Sequence, residues 1–144
     1  MLPHIDVFLE NGYTKEEQKM IDETRKILNA PDLKVTATCA RVPVQDSHSV
    51  EIDVTLDKET TAEDIKALFD QDDRVVLVDN PENNEYPMAI NSTNKDEVFV
   101  GRIRRDDSLE NTFHVWCTSD NLLKGAALNA VQVLEQVMRL KGAN

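Results

Sequence analysis

Residues 97–118 read EVFVGRIRRDDSLENTFHVWCT. Successive side chains of a strand point to opposite faces, so alternation of apolar and polar positions marks a half-buried strand. The run predicts two strands, Glu97 to Arg105 and Thr112 to Thr118, around a polar loop. Val98, Val100, Phe113, Val115 and Cys117 are their alternating apolar positions. They suffice for a sheet with one face toward its own helices and one free for a partner. Trp116 lies in the same alternation and is expected to pack in the core.

Helices are expected on both sides of this segment. Downstream, Ser119-Asp120 caps a long final helix. Its stripe is Leu122, Leu123, Ala126, Ala127, Ala130, Val131, Leu134, Val137 and Met138. Upstream, Thr14-Lys-Glu-Glu17 fits a capping box and predicts a helix to about Leu28. Its stripe is Met20, Ile21, Thr24, Ile27 and Leu28, and Ala30-Pro31-Asp32 stops it. Val35–Val42 and His48–Leu56 alternate as strands around a turn holding Pro43 and Gln45-Asp46-Ser47. Thr61-Ala-Glu-Asp64 starts another helix to about Phe69, Arg74–Val78 is a short apolar strand, and Asn80–Pro87 is a loop. Five strands and three helices give an α+β domain: a mixed, largely antiparallel sheet with helices packed on one face.

The 144 residues suggest one domain, residues 1–144, long enough for a proper core. A net charge of −11 argues against nonspecific binding to nucleic acid or anionic membranes. The one basic cluster, Arg102, Arg104 and Arg105, is flanked by Asp106 and Asp107. No apolar run approaches membrane-spanning length, and no signal-peptide pattern opens the chain. Cys39 and Cys117 read as small buried hydrophobes in a reducing cytosol. The three histidines have no metal-ligand spacing with each other or with the cysteines, so no metal site is expected. Four glycines, Gly12, Gly101, Gly125 and Gly142, build no Gly-rich phosphate loop.

Within CARVPVQDSHS, residues 39–49, a bidentate anion-binder, Arg41, and a proton carrier, His48, flank one short connection. Each has a plainer explanation. Arg41 could pair with a nearby acid, and His48 could be a hydrogen-bonded core or edge histidine. Glu16 and Lys19 are helix-surface neighbours, an ordinary salt bridge or else an ammonium site beside an anion site.

CARVPVQDSHS resembles the C-terminal-domain signature of aspartate-semialdehyde dehydrogenases, Cys-x-Arg-hydrophobic-Pro followed by Gly/Ser-His-Ser. The likeness extends through PHIDVFLENGYTKEEQKM, DETRKIL, VVLVDNPENNEYPM, DEVFVGRIRRD and SDNLLKGAALNAVQ, in the style of the Gram-positive bacterial branch. The resemblance implies a C-terminal domain of the glyceraldehyde-3-phosphate dehydrogenase-like kind. It also implies reversible, NADP-dependent reductive dephosphorylation of aspartyl-β-phosphate to aspartate semialdehyde. That step leads to lysine, methionine, threonine and diaminopimelate, in the cytoplasm. By the same resemblance Arg41 grips the substrate α-carboxylate and His48 exchanges a proton with the hemithioacetal oxygen. Glu16 favours the substrate ammonium and Lys19 the phosphate. Asn121 lies where the last helix returns toward the nicotinamide.

Two departures from the family pattern stand out. Gln45-Asp46-Ser47 replaces the usual small residues before His48, and Asp46 brings an acid near the histidine. The NADP-binding part and its nucleophilic cysteine are expected to be missing, so that this chain alone has neither dehydrogenase activity nor cofactor affinity. Neither Cys39 nor Cys117 has the setting of an activated thiolate. A homodimer, or a tetramer built from it, is expected to form through the sheet, with the stripe of Leu123, Ala127, Val131 and Leu134 losing cover. The alternative is a stand-alone binding or regulatory module of the same fold that does no chemistry.

Overall fold

The structure is a computed structural model that describes residues 1–142. The chain divides into two compact units, Met1–Val44 and Gln45 onward.

The first unit is built on helix α1, Lys15–Ile27. Its capping box is complete. The Glu17 carboxylate accepts the Thr14 N–H at 2.7 Å, and the Thr14 hydroxyl accepts the Glu17 N–H at 3.3 Å. Ile21 is buried, whereas Ile27 and Leu28 are exposed, so the expected stripe is covered only over its first half. The predicted strand Val35–Val42 is not a strand. The segment is extended and its burial alternates through Val35, Ala37 and Cys39, but it has no ladder. Alternation belongs to any extended chain, and a strand also needs a partner edge. Here the partner is a helix: the Cys39 N–H donates to Glu17 Oε1 at 2.8 Å and the Cys39 thiol rests on the Met20 sulfur. Only Arg41 makes a bridge, with Leu2.

The second unit is a four-stranded sheet ordered β1-β4-β3-β2, from β1 His48–Thr55, β2 Val75–Leu77, β3 Val98–Arg105 and β4 Thr112–Ser119. β4 is antiparallel to both neighbours and β2 is parallel to β3, so the sheet is mixed and largely antiparallel. Helix α2, Ala62–Asp70, opens on a second complete capping box, Thr61 with Asp64. Its Ile65 meets Val100, Ile103, Phe113 and Val115 in the core, with Val54, Leu56, Phe69, Leu77 and Cys117 around them. The apolar alternation of residues 98–117 thus faces the unit's own helix. The opposite face carries Glu51, Asp53, His114 and Trp116.

VVLVDNPENNEYPM has a structural explanation. β3 carries a bulge between Gly101 and Arg104, where Arg102 has φ +54°. The buried Asp79 carboxylate accepts the freed Arg102 and Ile103 N–H groups at 2.8 and 3.3 Å, and Lys66 pairs with it at 3.0 Å. The chain after β2 passes so close to β3 that a Cβ on Gly101 would lie 2.0 Å from the Val78 carbonyl oxygen. A short helix the sequence pattern did not signal, α3, spans Ala89–Ser92. The final helix begins as a π-helical stretch, Leu123–Ala127, and continues as α4, Leu128–Leu140. Its stripe is uncovered: Val131 and Leu134 are 52% and 58% exposed.

Candidate functional site

In the first unit, Glu16 and Lys19 lie in the first turns of α1, where the capping box fixes the helix start. Their side chains meet at 3.2 Å, half-exposed. The hydrogen bond to Glu16 and its charge, with Glu23 beside them, push the Lys19 amine up, so it is charged at neutral pH. An exposed i,i+3 pair contributes only ~0.2–0.5 kcal/mol. The pair therefore does little for the helix, and both charges remain reachable by a ligand.

Arg41 ends the extended segment. Leu2 and Arg41 exchange both backbone hydrogen bonds, at 2.9 and 2.8 Å, which pins the residue while its side chain stays exposed. No carboxylate among the described residues of the first unit pairs with the guanidinium. Neighbouring Glu17 is spent on backbone N–H groups. The Thr14 N–H, then the Cys39 N–H, hold its carboxyl below the usual range. The hollow of this unit, between Tyr13 and residues 36–38, is lined by Glu17 but not by Glu16, Lys19 or Arg41.

In the second unit, His48 opens β1 opposite Ser119, the last residue of β4. Its imidazole is exposed, and it makes no hydrogen bond or ion pair with the described residues of this unit. Among the described residues Asp46 forms no ion pair with it. Asn121 comes to the same end of the sheet, where its Oδ1 accepts the Ser47 N–H at 2.9 Å. Ser47 has φ +73°, is 3% exposed, and its hydroxyl lies 3.1 Å from that of Thr93. Asp120, also buried, accepts the N–H groups of Asn94 at 2.8 Å, Leu122 at 2.8 Å and Leu123 at 3.1 Å. The first of these does most to hold its carboxyl below the ordinary range. Asp120 thus caps the final helix as expected and also ties down the turn after α3. The fold pairs Glu16 with Lys19 and bonds Asn121 to Ser47, the residue before His48. Arg41 belongs to the first unit and His48 to the second.

The roles of Ser47, Thr93 and Asp120 at this corner escaped the sequence reading. The signal available was Ser-Asp-Asn, read only as a cap and a cofactor contact. A second cluster also escaped it. His114 Nδ1 meets Glu51 at 2.9 Å and also Asp53, and its Nε2 lies 3.7 Å from Asp106. Glu51, Asp53 and His114 bring three potential ligand atoms within 4.8 Å of one another. Spacing among histidines and cysteines could not find this group, because cross-strand register assembles it. Glu51 and Asp53 share the one ring nitrogen of His114, and both acids are exposed. Burial pushes both cysteine thiols up, Cys117 in the sheet and Cys39 beside Glu17, so both stay protonated and neither is a ready nucleophile. Among the described residues no helix is long and apolar enough to cross a membrane.

Residues 1–124 match the family described as semialdehyde dehydrogenase, dimerisation domain. The aspartate-semialdehyde dehydrogenases of Aquifex aeolicus (strain VF5) and Bacillus subtilis (strain 168) are each 50% identical to this chain. The matches run over 138 and 140 residues, 96% of the chain in both cases. A crystal structure of aspartate semialdehyde dehydrogenase II from Vibrio cholerae, complexed with ASA, superposes with a TM-score of 0.89 at 40% identity. It covers 96% of this chain and 40% of that one. The chain spans about 40% of the length of the relatives it matches. The sequence matches and the superposition agree, and the chain belongs to the semialdehyde dehydrogenase dimerisation-domain family.

Proposed function

We propose that this chain is the substrate-binding and dimerisation part, a single C-terminal domain, of an aspartate-semialdehyde dehydrogenase. The reaction would be reversible conversion of aspartyl-β-phosphate and NADPH to aspartate semialdehyde, NADP and phosphate, in amino-acid biosynthesis in the cytoplasm. The observation that carries the reading is 50% identity over 96% of the chain to enzymes of that name. The exposure of Arg41 and His48, neither of which forms an ion pair among the described residues of its own unit, supports it.

Arg41 offers a planar fork to the substrate α-carboxylate, and its exposure leaves both arms available. Glu16 offers a negative charge to the substrate ammonium. Lys19, charged at neutral pH, takes the phosphoryl oxygens. His48 exchanges a proton with the oxygen derived from the substrate carbonyl. A hydride is what NADPH supplies when bound. Asn121 fits it in one respect: its oxygen is taken by Ser47, which leaves its amide N–H₂ as a donor. We assign the phosphate-binding loop for the nucleotide and the nucleophilic cysteine to the share of the relatives that this chain does not match. A purified sample of this chain is then expected to show no turnover and no NADPH binding by fluorescence titration.

The test is made in the complete enzyme carrying this domain. His48→Asn keeps a hydrogen-bonding side chain but cannot shuttle a proton, and is expected to lower kcat by about 100-fold to 10,000-fold. Arg41→Lys replaces a fork by a point charge, and is expected to raise KM for the substrate as well as lower kcat. Near-native kcat in His48→Asn across neutral pH would remove His48 from the chemistry and favour a noncatalytic binding module.

A further inference from the structure

We infer that Asn121 is a positioning residue for His48, acting through the backbone of Ser47. The inference rests on the reading of His48 as the proton carrier.

The His48 imidazole makes no side-chain bond within its unit, so its place is set by the backbone that enters β1. That backbone arrives through Ser47 in the left-handed region, φ +73°, which L-residues with a side chain adopt only when the surroundings hold them. Two side chains hold it here. Asn121 Oδ1 accepts the Ser47 N–H at 2.9 Å, across 74 residues of sequence. Thr93 takes the hydroxyl. Its Oγ1 donates its own proton to the Ala89 carbonyl at 3.0 Å, so at 3.1 Å it accepts from Ser47.

The two holders are themselves fastened. Asp120, buried and next to Asn121, accepts N–H groups from the start of the final helix and from Asn94, which follows Thr93. Asp120 and Asn121, between β4 and the helix, thus grip both turns that shape the approach to His48. Ser119, the residue before them, pairs with His48 itself. These contacts fix the backbone from which His48 enters β1. The Asn121 carbonyl oxygen is committed to that grip while its amide N–H₂ is left for the cofactor, so the two contributions belong to different atoms. Removing the oxygen, not the amide nitrogen, is what should release His48.

Two variants separate the roles. Asn121→Asp keeps an oxygen for Ser47 and loses the amide donor, and Asn121→Ala loses both. In this chain, amide hydrogen exchange at Ser47, read by NMR, is expected to rise about 10-fold or more in Asn121→Ala and to stay within about threefold in Asn121→Asp. In the complete enzyme both variants lose the amide donor and are expected to raise KM for NADP alike, whereas kcat at saturating NADP is expected to fall about 10-fold to 100-fold in Asn121→Ala and to be largely kept in Asn121→Asp. In a His48→Asn background, Asn121→Ala should add almost nothing, because no proton carrier is left to misplace. Unchanged Ser47 exchange in Asn121→Ala overturns the inference. So does an Asn121→Asp enzyme whose kcat at saturating NADP is as low as that of Asn121→Ala, because the retained oxygen would then do nothing for His48. If Asn121→Ala does not fold, the Asp variant alone decides by the same two readouts. The exchange measurement involves no catalysis. Full kcat in His48→Asn would therefore refute the role of His48, whereas unaltered exchange would refute the grip.

Discussion

Two buried acids, Glu17 and Asp120, show how single side chains organise this chain. Each spends its carboxylate on backbone N–H groups rather than on a cation. Both are held below the ordinary carboxylate range by those bonds. The folded state therefore binds fewer protons than the unfolded state where ordinary carboxylates titrate, about pH 4. Stability rises with pH in that window. Their contribution is complete above the unfolded values and is lost as pH falls through the lower folded ones. The melting midpoint should be flat above about pH 5 and drop steeply toward pH 3. Glu17→Gln with Asp120→Asn should flatten that drop in thermal melts monitored by circular dichroism. An unchanged slope in the double variant would show that other carboxylates carry the acid sensitivity. Glu17 was legible as a cap from Thr14-Lys-Glu-Glu17, since a capping box is local. Its second bond, to Cys39, was not, because no local rule ties residues 22 apart. The same limit explains why the bond from the Ser47 N–H to the Asn121 carbonyl oxygen was not legible.

At the scale of elements, β1, β3, β4 and α2 follow the alternation and caps closely. The segment 35–42 does not, although its alternation survives as burial. Period alone reports an extended backbone, whereas a strand requires an edge to pair with, and in the first unit the neighbour is α1. The bulge of β3 was hidden for a related reason. Gly101 looks like an interruption of a strand, and only the crossing of Val78 explains it. Gly101→Ala would drive a methyl into a backbone oxygen that cannot swing aside. Its cost should reach or exceed the upper end of the ~1–3 kcal/mol typical of overpacking. Urea denaturation of the purified chain measures it, and a loss below ~0.5 kcal/mol would mean that the loop after β2 relaxes freely.

For the whole molecule, the proposed self-association must be placed on a surface, and the structure changes where to look. The apolar alternation expected to leave a partner face is turned inward, and Val115, 5% exposed, belongs to the core against Ile65. A charge there would unfold the unit and say nothing of assembly. The free sheet face is instead polar and lopsided, with Glu51 and Asp53 on β1 at one side and Arg104 on β3 across His114. A twofold contact over such a face can set the acids of one copy against the arginine of the other, because an isologous contact pairs one patch with itself so that residue i meets residue j and j meets i. The uncovered α4 stripe competes as an apolar surface, but it lies outside this sheet. Sedimentation equilibrium on the chain is expected to show a dimer at micromolar concentration. Arg104→Glu should weaken it about tenfold, Asp53→Arg likewise, and the double reversal should recover most of the loss. Leu134→Glu should leave it unchanged. A 16.3 kDa species at all concentrations would exclude the dimer for this chain. Dissociation by Leu134→Glu alone would move the contact from the sheet to the helix.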